Sequence, residues 1–488
     1  MSKTAIEGLE PKLIWEYFYE FTQVPHPSKK EEKIRAHVRE FANNNNFDFV
    51  EDEVGNIVIN VPATPGYENA PTVVIQGHLD MVCEKNKGTE HDFENDPIKI
   101  IRDGDWITAD GTTLGADNGI GVAAGMSIAT DDSAIHGPLE LLCTVDEETG
   151  MTGVNALSSD FITGKTLLNL DSEEDGAFYV GCSGGQDTRG VFNIEYTETD
   201  SSLTSYELMI TGLKGGHSGL DVANGRANAI RLLAQLLNRI GEENNYELSS
   251  ISGGSLRNAI PREAEVTLLI DANNESKVQS IIDKFIQDTL LEFNVNDPGL
   301  EVNFEKKDQT SENMFKASFV SKLINVLLAA PHGIMTMSPD IPGLVETSTN
   351  LATINVKDDQ LIIGTSQRSA IDSAKWNISN AVKAVFELGG AAIVDTGDGY
   401  PGWQPNMNSK LLQISKDVYK EMFNSEPEIK AIHAGLETGL LGAKYPGIDM
   451  ISFGPTIEGA HSPDERLNIQ ATEKFYNLVK GILLRLTK

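Results

Sequence analysis

The sequence predicts a mixed α/β domain built from both ends of the chain and interrupted by an inserted α+β domain. With 488 residues, the chain exceeds the roughly 250–300 residues at which a single hydrophobic core stops growing, so two domains are expected. Short apolar runs alternate with turn residues and helical patterns near both ends, which is typical of an α/β sheet. The middle of the chain carries separate strand and helix units, which indicates a second domain.

The N-terminal region is predicted to begin with helices and to continue as a sheet. Apolar residues at helical spacing within 13–18 mark a first helix. Ser28 and Glu31 fit the pattern of a capping box ahead of a second helix. The elements predicted after it are strands at 73–75, 139–145 and 167–170 and a helix at 120–128.

The middle region is predicted to hold strands at 206–211 and 264–270, helices at 226–240 and 278–293, and a comparable series from 302 to about 388. After the turn-rich stretch 395–405 the α/β pattern returns, with a helix at 410–423, a strand at 450–453 and a closing helix at 472–486. We therefore expect a discontinuous domain of residues 1–186 and 399–488, with residues 187–398 inserted into it.

The composition excludes several classes of protein. Lys and Arg total 39 against 72 Asp and Glu, and the resulting formal charge of -33 disfavours nucleic acid as a partner. The three cysteines, Cys83, Cys143 and Cys182, form no CxxC motif and suit a reducing compartment. No segment approaches the roughly 18 apolar residues that span a bilayer, and the N-terminus lacks signal-peptide features. We expect a soluble, cytoplasmic protein with no nucleic-acid or membrane partner.

Residues of the types that bind metals follow three of the predicted strands. In an α/β sheet, ligands bind outside the carboxyl ends of the strands, so side chains at successive strand ends are expected to converge. The pattern therefore predicts a metal site at this edge of the sheet. The residues at these strand ends are His78, Asp80, Glu147, Glu148 and Asp171.

Two of the motifs are ambiguous when taken alone. The spacing of His78 and Asp80 puts both side chains on one side of an extended backbone, so Asp80 could orient the imidazole while its other nitrogen faces a metal. The same pattern also fits a histidine that is simply satisfied by a nearby carboxylate. Asp117 lies in a glycine-flanked turn before a helix, where it fits either a helix cap or a carboxylate that bridges metals.

Adjacent carboxylates and a late histidine strengthen the metal hypothesis. Glu147 and Glu148 would be costly to bury unless a cation compensated them, although a solvated pair in a loop is the alternative. One glutamate could bind metal while the other accepts a proton from an activated water. His461, in a turn after the strand at 450–453, would complete a set of nitrogen and oxygen ligands suited to zinc, or less selectively to cobalt or manganese.

The segments around these residues strongly resemble the M20 metallopeptidase family, and most closely its aminoacyl-histidine dipeptidase branch. The resemblance extends over essentially the whole chain. It implies a zinc-exopeptidase catalytic domain with a mixed sheet and an inserted α+β lid domain that also forms a homodimer. The segments that carry it lie at 78–80, 115–119, 146–150, 169–173 and 459–462.

The resemblance also implies roles for individual residues. Glu147 would be the general base and later the proton donor, and Asp80 would orient His78. Two Zn²⁺ per chain would be held by five ligands: His78 and Asp171 on one ion, Glu148 and His461 on the other, and Asp117 between them.

Three residues of the inserted domain, and Gly435 in the C-terminal part of the chain, resemble positions that contact or approach the substrate. His217 would stabilise the tetrahedral oxyanion, in this family often from the partner subunit. Asn258, Arg368 and Gly435 would bind substrate. Arg368 is chemically suited to a free C-terminal carboxylate, which it could bind through two hydrogen bonds.

The activity that the resemblance implies is hydrolysis of unblocked dipeptides, Xaa-His and others, by a metal-activated water. One alternative is a deacylase or carboxypeptidase of the same fold acting on N-acyl amino acids. Another is a noncatalytic metal-dependent binding protein, which the presence of Glu147 disfavours because a binding module has no use for a general base.

Overall fold

The computed structural model describes residues 2–309 and 311–488, except for the side chain of Ser2. The chain packs into two compact units. The first unit comprises Met1–Gly181, Pro405–Ala431 and Leu436–Lys488, and the second unit comprises Cys182–Gln404 and Ile432–Gly435. The sequence pattern does not indicate the short return of the chain to the second unit at Ile432–Gly435.

The first unit is built on a mixed eight-stranded sheet, as its α/β pattern predicts. The strand Val73–His78 runs parallel to both of its neighbours, and Asp449–Ser452 runs parallel to Thr166–Asn169. The carboxyl ends of these parallel strands therefore meet at one edge of the sheet. The strand order is Asp48–Glu51, Ile57–Val61, Leu139–Thr144, Val73–His78, Thr166–Asn169, Asp449–Ser452, Ala177–Cys182 and Glu428–Ile432.

Helices and a smaller sheet complete the first unit. The helices are Ser2–Ile6 (3-10), Lys12–Thr22, Glu32–Asn44, Ala116–Thr130, Glu147–Gly150, Thr152–Ala156, Lys410–Phe423, Glu437–Lys444 and Ile469–Leu486. The strands of the four-stranded sheet are, in order, Ile457–Glu458, Arg466–Asn468, Trp106–Ala109 and Ile100–Asp103.

The capping box predicted at Ser28 is wrong. The helix Glu32–Asn44 starts after Glu31 and has no side-chain cap. Ser28 Oγ instead donates to Asp80 Oδ2 at 2.8 Å, and Glu31 Oε1 accepts from the backbone N–H of Asp146 at 3.0 Å. Both side chains form hydrogen bonds with residues at the strand ends, and these tertiary contacts replace the predicted contacts of a capping box.

Small residues let the helix Ala116–Thr130 pack closely on the sheet. A Cβ on Gly121 would lie 2.2 Å from the carbonyl oxygen of Leu170, and a Cβ on Gly125 would lie 3.4 Å from Ile75 Cγ2. Any side chain at Gly121 would therefore displace the backbone just ahead of Asp171. This close approach brings the start of the helix to the strand ends.

The second unit is an α+β arrangement with a single large antiparallel sheet. Its apolar residues form a hydrophobic core to which strands and helices both contribute, among them Leu208, Leu233, Ile282 and Leu327. The strand order is Glu301–Lys306, Leu203–Thr211, Ala264–Asp271, Glu247–Gly253, Val345–Lys357, Gln360–Ser369, Gly184–Asn193 and Ile393–Thr396, with Gly333–Met337 paired to Val345–Lys357.

Two short strand pairs and six helices make up the rest of the second unit as described. The pairs are Tyr196–Glu198 with Asn313–Phe315 and Gly216–His217 with Ala259–Ile260. The helices are Val222–Asn224 (3-10), Ala229–Glu243, Ala272–Asn274 (3-10), Glu275–Phe293, Ala317–Ala329 and Asp372–Leu388. Across residues 2–309 and 311–488, no helix combines the length and apolar character that crossing a membrane requires.

The return segment Ile432–Gly435 is joined to the second unit through His433. The ring of His433 is buried, with Nδ1 2.7 Å from Ser183 Oγ and Nε2 2.7 Å from Ser348 Oγ. Both hydroxyls are buried as well, so the imidazole satisfies two polar groups that water does not reach.

Candidate metal centre

The strand Val73–His78 ends in a buried histidine whose ring orientation is fixed by the backbone. His78 Nδ1 lies 3.0 Å from the carbonyl oxygen of Asp80, so in the neutral ring Nδ1 carries the proton and Nε2 keeps a free lone pair. His78 Nε2 faces Asp117 Oδ1 at 3.1 Å and Asp171 Oδ1 at 3.3 Å. One imidazole nitrogen and two carboxylate oxygens at these distances could hold a divalent cation.

A second set of ligands lies next to the first and shares Asp117. His461 Nε2 is 3.1 Å from Asp117 Oδ2 and 3.0 Å from Glu148 Oε1. Asp117 thus offers one oxygen to each set, which is the arrangement of a carboxylate between two cations. The side chain of His461 is 51% exposed, so solvent reaches this second position.

The charges of these residues fit bound cations. In the described part of the first unit, no lysine or arginine lies within ion-pair distance of Asp117, Glu148 or Asp171. Burial alone would lower the pKa of His78, but Asp171 and Asp117 raise it well above its usual value, and contacts with Asp117 and Glu148 raise the pKa of His461 to about 11. The carboxylates thus stabilise positive charge in the cluster, and the nitrogen and oxygen donors of the cluster suit zinc.

Asp80 lies beside the cluster, and its backbone carbonyl oxygen comes closer to the imidazole of His78 than its carboxylate does. Asp80 Oδ1 is 3.5 Å from His78 Nδ1, whereas the carbonyl oxygen of Asp80 is at 3.0 Å. The carboxylate accepts the backbone N–H of Glu147 at 3.0 Å and of Glu148 at 3.2 Å. Asp80 therefore orients His78 mainly through its backbone and the two glutamates through its side chain.

Glu147 opens the short helix Glu147–Gly150 at the end of a buried strand. A carboxylate oxygen of Glu147 lies within 4.8 Å of ligand atoms of His78 and Glu148. Burial raises the pKa of Glu147 well above its usual value, against the opposing effect of His78. A carboxyl group with a raised pKa beside a cation site is suited to accept and then release a proton.

Glu465 is a buried carboxylate that the sequence analysis does not single out. Its Oε2 accepts from the backbone N–H of Leu114 at 2.7 Å and of Gly115 at 3.0 Å. Its Oε1 accepts from the backbone N–H of Ala116 at 2.8 Å and of Asp117 at 3.3 Å. Burial raises the pKa of Glu465 to about 7, while these N–H groups act to lower it.

Glu437 is a second buried carboxylate without an assigned role in the sequence analysis. Its Oε2 accepts from Gln76 Nε2 at 2.6 Å and from Thr144 Oγ1 at 2.7 Å. Burial raises the pKa of Glu437 to about 7. Since Gln76 and Thr144 lie on the parallel strands, Glu437 supports the strand ends that carry the candidate ligands.

In the second unit, His217 and Asn258 lie on neighbouring segments. The backbone N–H of Ser218 donates to the carbonyl oxygen of Asn258 at 2.8 Å, while the side chain of Asn258 is exposed. His217 Nδ1 accepts from the backbone N–H of Gly219 at 3.2 Å and of Leu220 at 3.0 Å. Burial lowers the pKa of His217, so the neutral ring carries its proton on Nε2 and can donate it in a hydrogen bond.

Arg368 and Gly435 both lie against Tyr400. The guanidinium of Arg368 is buried and donates from Nη1 to the Tyr400 hydroxyl at 3.1 Å, whereas its Nε is buried without a partner. Within the second unit as described, no carboxylate lies at ion-pair distance from Arg368. A Cβ on Gly435 would lie 2.9 Å from Tyr400 Cε2, so a larger residue would press on the ring that bonds Arg368. A buried, unpaired guanidinium favours an anionic ligand.

The mixed α/β fold with its two units is matched by known proteins over almost their full length. The cytosol non-specific dipeptidase of Escherichia coli (strain K12) is 39% identical over 482 residues, covering 98% of each chain. The crystal structure of aminoacylhistidine dipeptidase from Vibrio alginolyticus shares 40% identity with a TM-score of 0.92 and covers 99% of each chain. Aminopeptidase PepT from Bacillus cereus, at 17% identity and a TM-score of 0.58 over 98% of this chain and 100% of its own, shares the fold.

The family profile described as Peptidase family M20/M25/M40 matches residues 74–485. The chain therefore belongs to this peptidase family, which confirms the resemblance found in the sequence. The match includes both units, and all the candidate site residues of the first and second units lie within it.

Proposed function

We propose that this protein is a dipeptidase that hydrolyses unblocked dipeptides, Xaa-His among them, with two zinc ions bound in the first unit. The observation that carries the proposal is that Asp117 directs one carboxylate oxygen to each of two adjacent ligand sets. The names of the E. coli and V. alginolyticus relatives support a dipeptide as the substrate.

His78 and Asp171 would hold one ion, Glu148 and His461 would hold the other, and Asp117 would contact both. Co²⁺ or Mn²⁺ are possible substitutes, since the same donors accept them. When bound, the ions supply Lewis-acid activation of a water and of the scissile carbonyl.

Glu147 acts as the general base and then as the general acid. Its carboxylate takes the proton from the attacking water and passes it to the leaving amino group. Asp80 positions this carboxylate, because it holds the backbone N–H groups of both Glu147 and Glu148. The backbone carbonyl of Asp80 accepts from His78 Nδ1, which leaves Nε2 free and oriented to bind a cation.

The second unit binds the substrate and stabilises developing negative charge. His217 donates from Nε2 to the oxyanion of the tetrahedral species, which its neutral tautomer allows. Arg368 binds the C-terminal carboxylate of the dipeptide, because its buried charge lacks an anionic partner. Asn258 and Gly435 complete the substrate-binding surface, with Gly435 leaving room for Tyr400.

We also propose that the second unit serves as a lid and homodimerisation domain in a cytoplasmic enzyme. The strand Gly333–Met337 pairs on one side with Val345–Lys357 and exposes Ile334, Met335 and Met337 by 40%, 40% and 44%. An exposed apolar strand edge of this kind is suited to a protein interface. Light scattering after size-exclusion chromatography should give the mass of a dimer, and the mass of one chain would contradict the proposed homodimer.

The name of the E. coli relative supports the cytoplasmic location.

The test is to strip the purified protein with a chelator and to assay alanyl-histidine and N-acetyl-alanyl-histidine as zinc is restored. We expect cleavage of the free dipeptide to recover and to saturate near about two Zn²⁺ per chain. Preference for the acetylated compound would favour the deacylase alternative. Zinc uptake without any cleavage would favour a binding protein, and full activity in the stripped protein would contradict the metal mechanism.

A further inference from the structure

We propose that Glu465 is a positioning residue that fixes the turn bearing Asp117 relative to His461 and so sets the affinity for the cation these two residues share. The inference rests on the proposed function, because it requires Asp117 and His461 to be ligands. Glu465 itself touches no ligand side chain and acts through the backbone of the turn.

The first support is the number of backbone groups that one side chain holds. Both oxygens of Glu465 are occupied, and together they accept four consecutive backbone N–H groups, those of residues 114–117, at 2.7–3.3 Å. The side chain is 2% exposed, so water does not compete for these groups. Within this turn Asp117 and Asn118 have non-helical dihedral angles, so the regular helix does not by itself orient Asp117.

The second support is the hydrogen-bonded segment that joins Glu465 to His461. The backbone N–H of Glu465 donates to the carbonyl oxygen of Ser462 at 3.0 Å, and Ser462 Oγ donates to the carbonyl oxygen of Gly459 at 2.7 Å. The carbonyl oxygen of Glu465 accepts from Thr108 Oγ1 at 2.8 Å, which ties the segment to a neighbouring strand. One short segment therefore carries both an imidazole and the carboxylate that anchors the opposing turn.

This arrangement sets the separation of two ligand atoms from different parts of the chain. Asp117 Oδ2 and His461 Nε2 are 3.1 Å apart although 344 residues separate them in sequence. Glu465 connects the two backbones, because it lies four residues after His461 and accepts the backbone N–H of Asp117. Side chains that orient metal ligands typically change metal affinity or activity by 10–100-fold when they are replaced.

The decisive variant is Glu465→Gln. The amide keeps the size of the side chain, but in either orientation its NH₂ group faces two backbone N–H donors that the carboxylate oxygen now accepts. Two hydrogen bonds to the turn are lost, and the turn is pushed away from His461.

Glu140→Gln is the matched control. Glu140 is also buried and accepts the backbone N–H of Thr163 at 2.9 Å and of Gly164 at 3.0 Å. It lies four residues before the end of the strand Leu139–Thr144, about 13 Å from the carboxyl edge of the sheet. The control reproduces the loss of a buried backbone anchor away from the ligands.

Two readouts separate positioning from general stabilisation. One is the zinc affinity of the stripped protein, measured in competition with a chromophoric chelator. The other is the visible absorption spectrum of the Co²⁺-loaded protein, which reports the geometry of the ligands. We expect Glu465→Gln to weaken the binding of one of the two zinc ions by about 10–100-fold and to change the Co²⁺ spectrum. We expect Glu140→Gln to lower the melting temperature but to leave zinc affinity and the Co²⁺ spectrum unchanged.

Unchanged zinc affinity and an unchanged Co²⁺ spectrum in Glu465→Gln would overturn the proposal while leaving the proposed function intact. A wild-type protein that binds no zinc would instead defeat the proposed function itself. If Glu465→Gln does not fold, Glu465→Asp, which keeps the charge but withdraws it from the turn, takes its place with the same expectations. Failure of both variants to fold would make Glu465 a general stabiliser and would also overturn the proposal.

Discussion

The candidate residues of the two units lie in opposite electrostatic settings. In the first unit, carboxylates and imidazoles crowd together without a lysine or arginine among the described ion pairs of Asp117, Glu148 and Asp171. In the second unit, a neutral histidine and a buried, unpaired arginine offer only hydrogen-bond donors at Nε2 and Nε. In the proposed mechanism, the first unit therefore binds cations and the second unit binds negative charge on the substrate. Variants in the first unit should therefore alter metal binding or proton transfer, whereas variants in the second unit should alter substrate binding or oxyanion stabilisation.

The largest effect is expected from Glu147→Gln. Loss of the general base should lower kcat by about 10²–10⁴-fold, while zinc content stays unchanged because the proposal assigns Glu147 to neither ion. Steady-state kinetics on alanyl-histidine together with elemental analysis would measure both quantities. Turnover equal to that of the wild type would remove Glu147 from its assigned role.

A smaller loss is expected from His217→Ala, which removes a donor of the second unit. Loss of one oxyanion donor should reduce kcat by about 10²-fold with little change in KM, and zinc content should be unchanged. The same kinetic and metal measurements apply. A rise in KM alone would show that His217 binds the ground state of the substrate and would break the proposed contrast between the units.

Arg368→Met should affect binding more than chemistry. We expect KM for a dipeptide to rise by about 10–100-fold, with kcat changing much less, because the C-terminal carboxylate loses its partner. The sharper measurement compares the dipeptide with its C-terminal amide, which the variant should no longer discriminate. Arg239→Met is the control, since Arg239 pairs with Asp288 at a half-exposed site. Retained discrimination in Arg368→Met would place the carboxylate elsewhere.

The smallest effect is expected on the free energy of unfolding, from replacing Asp131, a residue of the first unit outside the candidate site. Burial alone would raise the pKa of Asp131, but hydrogen bonds from Lys480, Ser133 and Tyr476 lower it to about 2. Because the folded pKa lies below the unfolded value near 4, the ionised group stabilises the fold above about pH 4, and this contribution is lost as the pH falls toward 2. Asp131→Asn should cost about 1 kcal/mol of unfolding free energy at pH 7 after allowance for screening.

Denaturant unfolding of Asp131→Asn at pH 7 and at pH 3 would measure that loss. The difference from the wild type should shrink at the lower pH. Asp132→Asn is the control, because Asp132 is exposed and next in sequence. A difference that grew on acidification would contradict the assigned direction of the pKa shift.

The sequence allowed the strands of the α/β sheet and the candidate ligands to be predicted because both depend on local pattern. Short apolar runs mark the strands Val73–His78 and Leu139–Thr144, and their carboxyl ends must share an edge once the strands are parallel. His78, Glu147 and Glu148 then follow from their places after those strands. The family match confirms the resemblance, whereas the role of each residue stays a prediction.

The supporting contacts could not be predicted, because they join distant parts of the chain. Glu465 anchors Leu114 across 351 residues of sequence, and Ser28 bonds Asp80 across 52. Glu465 lies four residues after His461, but the local sequence around a polar residue in a turn does not indicate which backbone N–H groups its side chain will bind. The side chain of Asp80 likewise turns to Glu147 and Glu148, which spacing along one strand does not reveal.

The return segment Ile432–Gly435 has a consequence for how the protein is made. Residues 182–404 of the second unit are synthesised before His433, so the hydroxyls of Ser183 and Ser348 lack this ring until residues 405–433 have also been added. An excised fragment of residues 182–404 would carry the same defect permanently. The full set of buried contacts in the second unit therefore depends on residues that are synthesised after most of the chain.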